Sequence, residues 1–135
     1  MIQLSSKWGT ACLAVVFLQA TAAGAVDLEG AWASDASACE KIFQVKNKVI
    51  SIRRDSDLHG SGFILDRNQL RGKMAKCAVK SRKEEANLVN MIAVCSTDIA
   101  LSTVQFSLRL DSENQLTRVF PGIPEMSVSY SRCRF

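Results

Sequence analysis

Residues 100–110 read ALSTVQFSLRL, and this stretch decides the fold class. Alternate positions from 100 to 110 carry Ala, Ser, Val, Phe, Leu and Leu, whereas the positions between them carry Leu, Thr, Gln, Ser and Arg. A period of two residues is typical of a strand with one face on a core and the other in solvent. The stretch therefore predicts a long, half-buried β-strand.

The same period continues on both sides of this strand, with only short polar turns between the repeats. The predicted strands are residues 28–32, 49–54, 61–65, 70–79, 88–95, 100–110, 116–120 and 126–132. One helical turn is expected at Ser37, since Ser37 and Glu40 have the spacing of a capping box, and the charged segment 81–85 is interpreted as a loop. About eight strands in this order predict an all-β, antiparallel up-and-down barrel. A β-sandwich remains the alternative, because periodicity does not give the order of strands in a sheet.

Residues 1–25 differ in composition from the rest of the chain. Lys7 is their only charge, residues 8–18 are an apolar run, and Ala23-Gly24-Ala25 follows. This order predicts a secretory signal peptide cleaved after Ala25, whereas an uncleaved anchor is the alternative. The apolar run is shorter than the ~20 residues that span a bilayer. We therefore expect one domain, residues 26–135, in the periplasm or secreted, and no membrane-spanning segment.

Cleavage would also remove Cys12 and leave four cysteines, which in a short exported domain predict two disulfides. These are Cys39, Cys77, Cys95 and Cys133. Cys77 and Cys95 flank the charged segment on strands expected to form a hairpin, and each shares the parity of apolar neighbours. We favour Cys77–Cys95 and Cys39–Cys133, with the other two connectivities open. No C-x-x-C pair is present, so a zinc site is not expected.

The chain is mildly basic, with a net charge of +4 that falls to +3 without Lys7. Its cationic residues cluster at Arg71, Lys73, Lys76, Lys80, Arg82 and Lys83, with Arg53 and Arg54 on a strand that could lie beside them. The cluster is interpreted either as a solvated, edge-protecting pattern or as a patch for an anionic surface. Odd and even positions would split it across two faces unless a bulge intervenes. Nucleic acid is not expected, because few aromatic residues interleave with the charges.

Catalytic residues are not evident. The only histidine, His59, lies in a turn-like segment with no evident acid–base partner. Glu84 and Glu85 are interpreted as a solvated hairpin tip, and bridged cysteines leave no thiolate nucleophile. We expect no enzyme activity, no metal and no cofactor.

The opening Gly30-Ala31-Trp32 on a first strand, before an eight-stranded meander, resembles the lipocalins. In that family a G-x-W motif closes the base of the barrel, and an arginine after the last strand packs across the Trp. The resemblance implies that Gly30 and Trp32 carry the motif here, that Arg132 or Arg134 supplies the cation, and that the glycine allows close backbone approach at a bend. Lipocalins are longer and usually carry a helix after the barrel, which this chain lacks.

The length, the export signal and the same opening also resemble small bacterial metalloprotease inhibitors of lipocalin-like fold. Those inhibitors insert an N-terminal segment into the protease cleft. The resemblance implies a protein partner, although only Val26 and Asp27 would precede the first strand here.

The barrel interior is the last candidate site. An eight-stranded barrel is either filled by side chains or holds one small ligand, and both alternatives remain open. A pocket would involve Phe63, Phe106 and Tyr130. The sequence thus predicts a non-catalytic exported protein that binds a small apolar or amphipathic ligand. The alternatives are a protein–protein module such as a periplasmic protease inhibitor, and an envelope structural or stress protein on anionic surfaces.

Overall fold

The computed structural model describes residues 26–135, and the predicted signal peptide at residues 1–25 lies outside them. The strands are β1 (Gly30–Ala33), β2 (Phe43–Lys46), β3 (Val49–Ile52), β4 (Gly62–Asp66), β5 (Gln69–Arg71), β6 (Lys76–Glu85), β7 (Leu88–Ser96), β8 (Leu101–Ser112), β9 (Gln115–Val119) and β10 (Val128–Cys133). One short helix, α1 (Cys39–Ile42), and 3-10 turns at Ala36–Ala38, Ser56–Leu58 and Pro124–Met126 complete the described elements. None of the helices within residues 26–135 is long and apolar enough to cross a membrane.

Eight of these strands form one closed antiparallel barrel. Its order is β1-β10-β9-β8-β7-β6-β5-β4, with β4 pairing back onto β1. Apart from β1–β10 and β1–β4, every pair of neighbouring barrel strands is also consecutive along the chain, which is the up-and-down arrangement. The predicted all-β barrel is confirmed, and the β-sandwich alternative is wrong.

Two of the predicted strands were assigned wrongly, although the total of eight is right. The predicted strand 49–54 corresponds to β3, which pairs with β2 in a separate two-stranded sheet. The predicted strand 70–79 is two barrel strands, because the Gly72 N–H donates to the Ala75 carbonyl at 2.9 Å and turns the chain between β5 and β6. Because Met74 and Ala75 in this turn are apolar, the sequence pattern resembles that of a continuous strand.

The segment 81–85, predicted as a loop, is the second half of β6. It pairs with β7 as far as Glu85 opposite Leu88, and Ala86 turns the chain with φ +52°. The charges are tolerated in this half of the strand because residues 81–85 are all exposed. The ladder shifts register between Val79 and Ser81, which is a β-bulge.

The buried side chains form two cores on opposite faces of β1 and β4. The first lies inside the barrel and centres on Trp32, Leu65, Met91 and Leu108, each at most 1% exposed. The second lies outside the barrel wall, where α1 and the β2–β3 sheet cover it; its buried members are Ala31, Ala33, Ala38, Ile42, Phe43, Ile64 and Cys133. Strand alternation places Trp32 in the first core and its two neighbours in the second.

The helical segment begins two residues earlier than predicted. Asp35, rather than Ser37, is its N-cap, since the Asp35 carboxylate accepts from the Ser37 N–H at 2.8 Å. Cys39 at the start of α1 is bonded to Cys133 at the end of β10, with Sγ atoms 2.01 Å apart. The bridge fastens the helical cover to the barrel wall.

Candidate functional site

One end of the barrel is sealed by Trp32 and Arg132. Trp32 is fully buried, and its indole N–H donates to the Leu28 carbonyl at 2.9 Å. The Arg132 guanidinium lies over the indole, 4.3 Å from the ring centroid. It also donates to the carbonyls of Glu29, Asp27 and Glu113. A guanidinium with five donors can join these segments while stacking on an aromatic face, which an ammonium cannot do.

The structure distinguishes between the two arginines suggested by the resemblance. Arg134 does not reach Trp32 but binds Asn114 and Glu113. The expected reason for Gly30 was close approach of another backbone. The structure gives a different reason, since Gly30 has a φ of +121°, which disfavours other residues. An added Cβ would meet only Arg132 Nη1 at 3.6 Å, which is an ordinary contact.

The opposite end of the barrel contains a cavity of about 350 Å³. Its walls are Gly62, Phe63, Leu70, Gly72, Ala75, Cys77, Cys95, Thr97, Ser102, Val104, Phe106, Leu108, Arg118 and Tyr130. The barrel is therefore filled at the Trp32 end and hollow at the other. Of the two alternatives expected from the sequence, a barrel filled by side chains describes the first half and a barrel with a pocket describes the second. The mouths of β-barrels are among the places where small-molecule sites commonly occur.

All three residues expected to line a pocket lie in this cavity. Phe63 and Tyr130 pack edge to face with ring centroids 5.1 Å apart, and Phe106 is 8% exposed. Cys77 and Cys95 are directly opposite on β6 and β7, and the bridge between them forms part of the wall. Both bridges join the cysteines that the sequence analysis paired.

Arg118, which was not predicted from the sequence, is the one charged side chain among the described residues that line the cavity. It lies opposite Leu108, which is in the barrel core, so its side chain is on the inner face of β9. Its guanidinium carbon is 4.7 Å from the ring centroids of both Phe106 and Phe120. The available signal was parity, because Leu116, Arg118 and Phe120 share one face of the predicted strand 116–120.

Exposed apolar side chains surround the mouth of the cavity. The loops at this end join β5 to β6, β7 to β8 and β9 to β10, and a further segment leads into β4. Their large exposed hydrophobic residues are Leu58, Met74, Ile99, Ile123 and Met126. The loops at this end of the barrel thus carry several exposed apolar side chains.

The predicted basic patch is only partly assembled. Its nearest approach to a site is a groove of about 340 Å³ on the outside of the barrel, where Arg53, Arg54, Arg71, Lys73 and Lys76 come together. Two of the five are already engaged, since Arg53 donates to the carbonyls of Glu40 and Phe43, and Lys73 pairs with Asp57. The pair also holds the pKa of Asp57 below its usual value, chiefly through the hydrogen bond from Lys73.

The remaining members of that patch do not extend the groove. Arg82 lies opposite Met91 of the barrel core, so it is on the inner face at the sealed end, where it pairs with Glu84 at 2.8 Å. The β-bulge at Lys80 accounts for this change of face. Lys80 and Lys83 are exposed. The patch expected from the sequence is therefore divided between the two faces of β6.

The residues considered for catalysis form no site. His59 is exposed and closes a 3-10 turn through its backbone N–H to Ser56. Glu84 and Glu85 are adjacent in β6, so their side chains leave opposite faces of the strand. Within residues 26–135, no group of three or more His, Cys, Asp or Glu side chains is arranged to hold a metal ion.

The fold and the cavity together define a class of protein: a small closed antiparallel barrel, sealed at one end by a Trp–Arg stack and hollow at the other. Comparisons with protein-family models, curated proteins and solved structures returned no match.

Proposed function

We propose that this chain is an exported, lipocalin-like barrel that binds a small apolar or amphipathic ligand and catalyses no reaction. The observation that carries the proposal is the cavity of about 350 Å³ at the open end. Its walls are mostly apolar, with a few polar groups that could orient a ligand, which is the usual composition of small-molecule sites. The exposed apolar side chains around the mouth favour entry of such a ligand from this end.

The lipocalin-like assignment is supported by the sealed end. Gly30 and Trp32 lie on the first barrel strand, and Arg132 from the last strand stacks on the indole. This is the arrangement that the resemblance implied, on a barrel with the same strand number and the same up-and-down order.

Export is supported by the two cysteine pairs and by the contacts of Val26. Two cysteine pairs at bonding distance suit an oxidising compartment. The Val26 N–H donates to Glu84 Oε2 at 3.1 Å and is the main cause that lowers the pKa of Glu84. Cleavage after Ala25 would convert this N–H into an ammonium group facing a carboxylate, so the mature chain would gain an ion pair at its new end.

Inhibition of a protease through the N-terminus has less support. Val26 is held by Glu84 and Arg82, the Asp27 carbonyl accepts from Arg132, and Leu28 is 1% exposed. A segment pinned in this way cannot insert into a cleft without unsealing the barrel. Binding of an anionic surface is also less supported, because two cations of the outer groove already have partners.

The proposal is tested by titrating the protein with the neutral fluorescent probe N-phenylnaphthylamine. Ser102 lies opposite Cys95 and lines the cavity, so Ser102→Trp should fill the mouth. We expect the wild-type protein to bind one probe with enhanced fluorescence, and Ser102→Trp to weaken binding about tenfold, which corresponds to ~1.4 kcal/mol.

The matched control is Thr103→Trp. Thr103 is the next residue of β8, is also exposed and leaves the opposite face of the strand. It should bind the probe as the wild-type protein does. Equal binding by all three proteins would place the probe outside the cavity and contradict the proposed function.

A further inference from the structure

Arg118 is a cation in the cavity that none of the described residues neutralises. Within residues 26–135, its guanidinium has no carboxylate within 4.0 Å and no hydrogen-bond acceptor in reach. The rings of Phe106 and Phe120 attract the positive charge through their faces. They do not provide oxygen acceptors for the N–H groups, which point outward in the plane of the guanidinium. No guanidinium nitrogen of Arg118 is completely buried, so its N–H groups remain accessible, and Arg118 lines the cavity.

This situation differs from that of the cations at the sealed end. Arg132 donates to three carbonyls, Arg82 pairs with Glu84, and Arg134 pairs with Glu113. An accessible guanidinium in this position keeps its N–H groups free to donate to an anionic group that enters the cavity. A charged acceptor supplied by a ligand would satisfy Arg118.

A second donor lies on the same wall of the cavity. In the β9–β10 ladder Arg118 is opposite Val128 and Tyr130 is opposite Leu116, which places Arg118 and Tyr130 diagonally on the inner face. Such diagonal neighbours are ~7–8 Å apart, within reach of long side chains. Within the described chain the Tyr130 hydroxyl makes no side-chain hydrogen bond, whereas Phe63, Val104 and Leu108 make other parts of the lining apolar.

We infer that the ligand of this cavity is a small amphiphile with one anionic group, a carboxylate, sulfate or phosphate monoester, and that Arg118 binds this group. The inference rests on the ligand-binding function proposed above and specifies the chemical class of the ligand. Arg118, with Tyr130 beside it, holds the anionic head, and the aromatic and aliphatic walls hold the apolar body. Guanidinium suits this role because it can bind such an anion through two parallel hydrogen bonds.

The test uses two pairs of probes that differ only in the charged group. Anilinonaphthalene sulfonate is compared with neutral N-phenylnaphthylamine, and dodecanoate is compared with dodecanol as competitors of the bound dye. We expect Arg118→Gln to weaken binding of the sulfonate and of dodecanoate about tenfold or more, while binding of the neutral partners changes by less than about twofold.

Two further variants distinguish the effect of the charge at position 118 from that of the guanidinium geometry, and both from a general loss of positive charge. Arg118→Lys keeps the charge without the fork, so its sulfonate affinity should fall between those of the wild-type protein and Arg118→Gln. Arg71→Gln removes an equally half-buried arginine from the outer groove and should bind all probes normally. Circular dichroism of each variant checks that the barrel is folded.

The possible failures are distinguishable. If Arg118→Gln binds the sulfonate as tightly as the wild-type protein while the neutral dye still binds, the assignment of an anionic ligand is overturned and the cavity function stands. If Arg71→Gln weakens sulfonate binding as much as Arg118→Gln does, the anion lies outside the cavity and the assignment also fails. If neither dye binds the wild-type protein, the proposed function fails, and this inference fails with it.

Discussion

Replacing Cys39 and Cys133 together by serine is expected to lower the unfolding midpoint by roughly 15–25 °C. The bridge closes a chain separation of 94 residues, so its loss frees almost the whole domain in the unfolded state. On the chain-entropy model this costs about 4–5 kcal/mol. It also detaches α1 from β10 and loosens the cover of the outer core. Thermal unfolding followed by circular dichroism measures the effect.

The other bridge provides the control for this experiment. Cys77 and Cys95 are separated by only 18 residues on two strands that are already paired. Replacing both by serine should therefore cost less, about 3 kcal/mol on the same model. Two pairs of variants with unchanged midpoints would contradict the assignment of both disulfides. A larger loss from the short loop than from the long one would contradict the entropic account of their difference.

Truncating Trp32 to alanine should destabilise the protein by about 3–5 kcal/mol, the range for large aromatic side chains in a packed core. Trp32 is fully buried, and its loss would also remove the ring beneath the Arg132 guanidinium and a donor to the Leu28 carbonyl. Urea unfolding of the variant and the wild-type protein gives the difference in free energy of unfolding.

The comparison residue is Phe63, an aromatic on β4 that faces the cavity. Because Phe63 borders empty space and is partly exposed, Phe63→Ala should cost clearly less than Trp32→Ala. Equal losses at the two positions would show that the barrel is packed alike at both ends. That result would remove the distinction between a sealed end and a hollow end.

The sequence was most informative where one face of a strand is buried. The alternation of residues 100–110 identified β8, and the shared parity of Cys77 and Cys95 with apolar neighbours led to the observed hairpin pair. Such patterns depend only on which side of a strand meets the core, so they can be recognised without knowing the neighbouring strands.

Errors arose where strand pairing or turn geometry decides the structure. Residues 49–52 alternate as well as any barrel strand, and only their pairing with β2 assigns them to the outer sheet. The turn between β5 and β6 contains no Pro or Asn and carries the apolar Met74, so it resembles a strand. Arg118 was missed because an arginine at an inward position contradicts the usual pattern of a core, and such exceptions are expected at functional sites.

The most direct test of the central claim is native mass spectrometry of the protein purified from the envelope of the organism that makes it, beside Ser102→Trp purified in the same way. We predict a chain that begins at Val26, four hydrogens lighter than its reduced form, with an additional small mass that Ser102→Trp lacks. A wild-type spectrum showing only the bare chain, or an adduct equally abundant in Ser102→Trp, would contradict binding of a ligand in the open-end cavity.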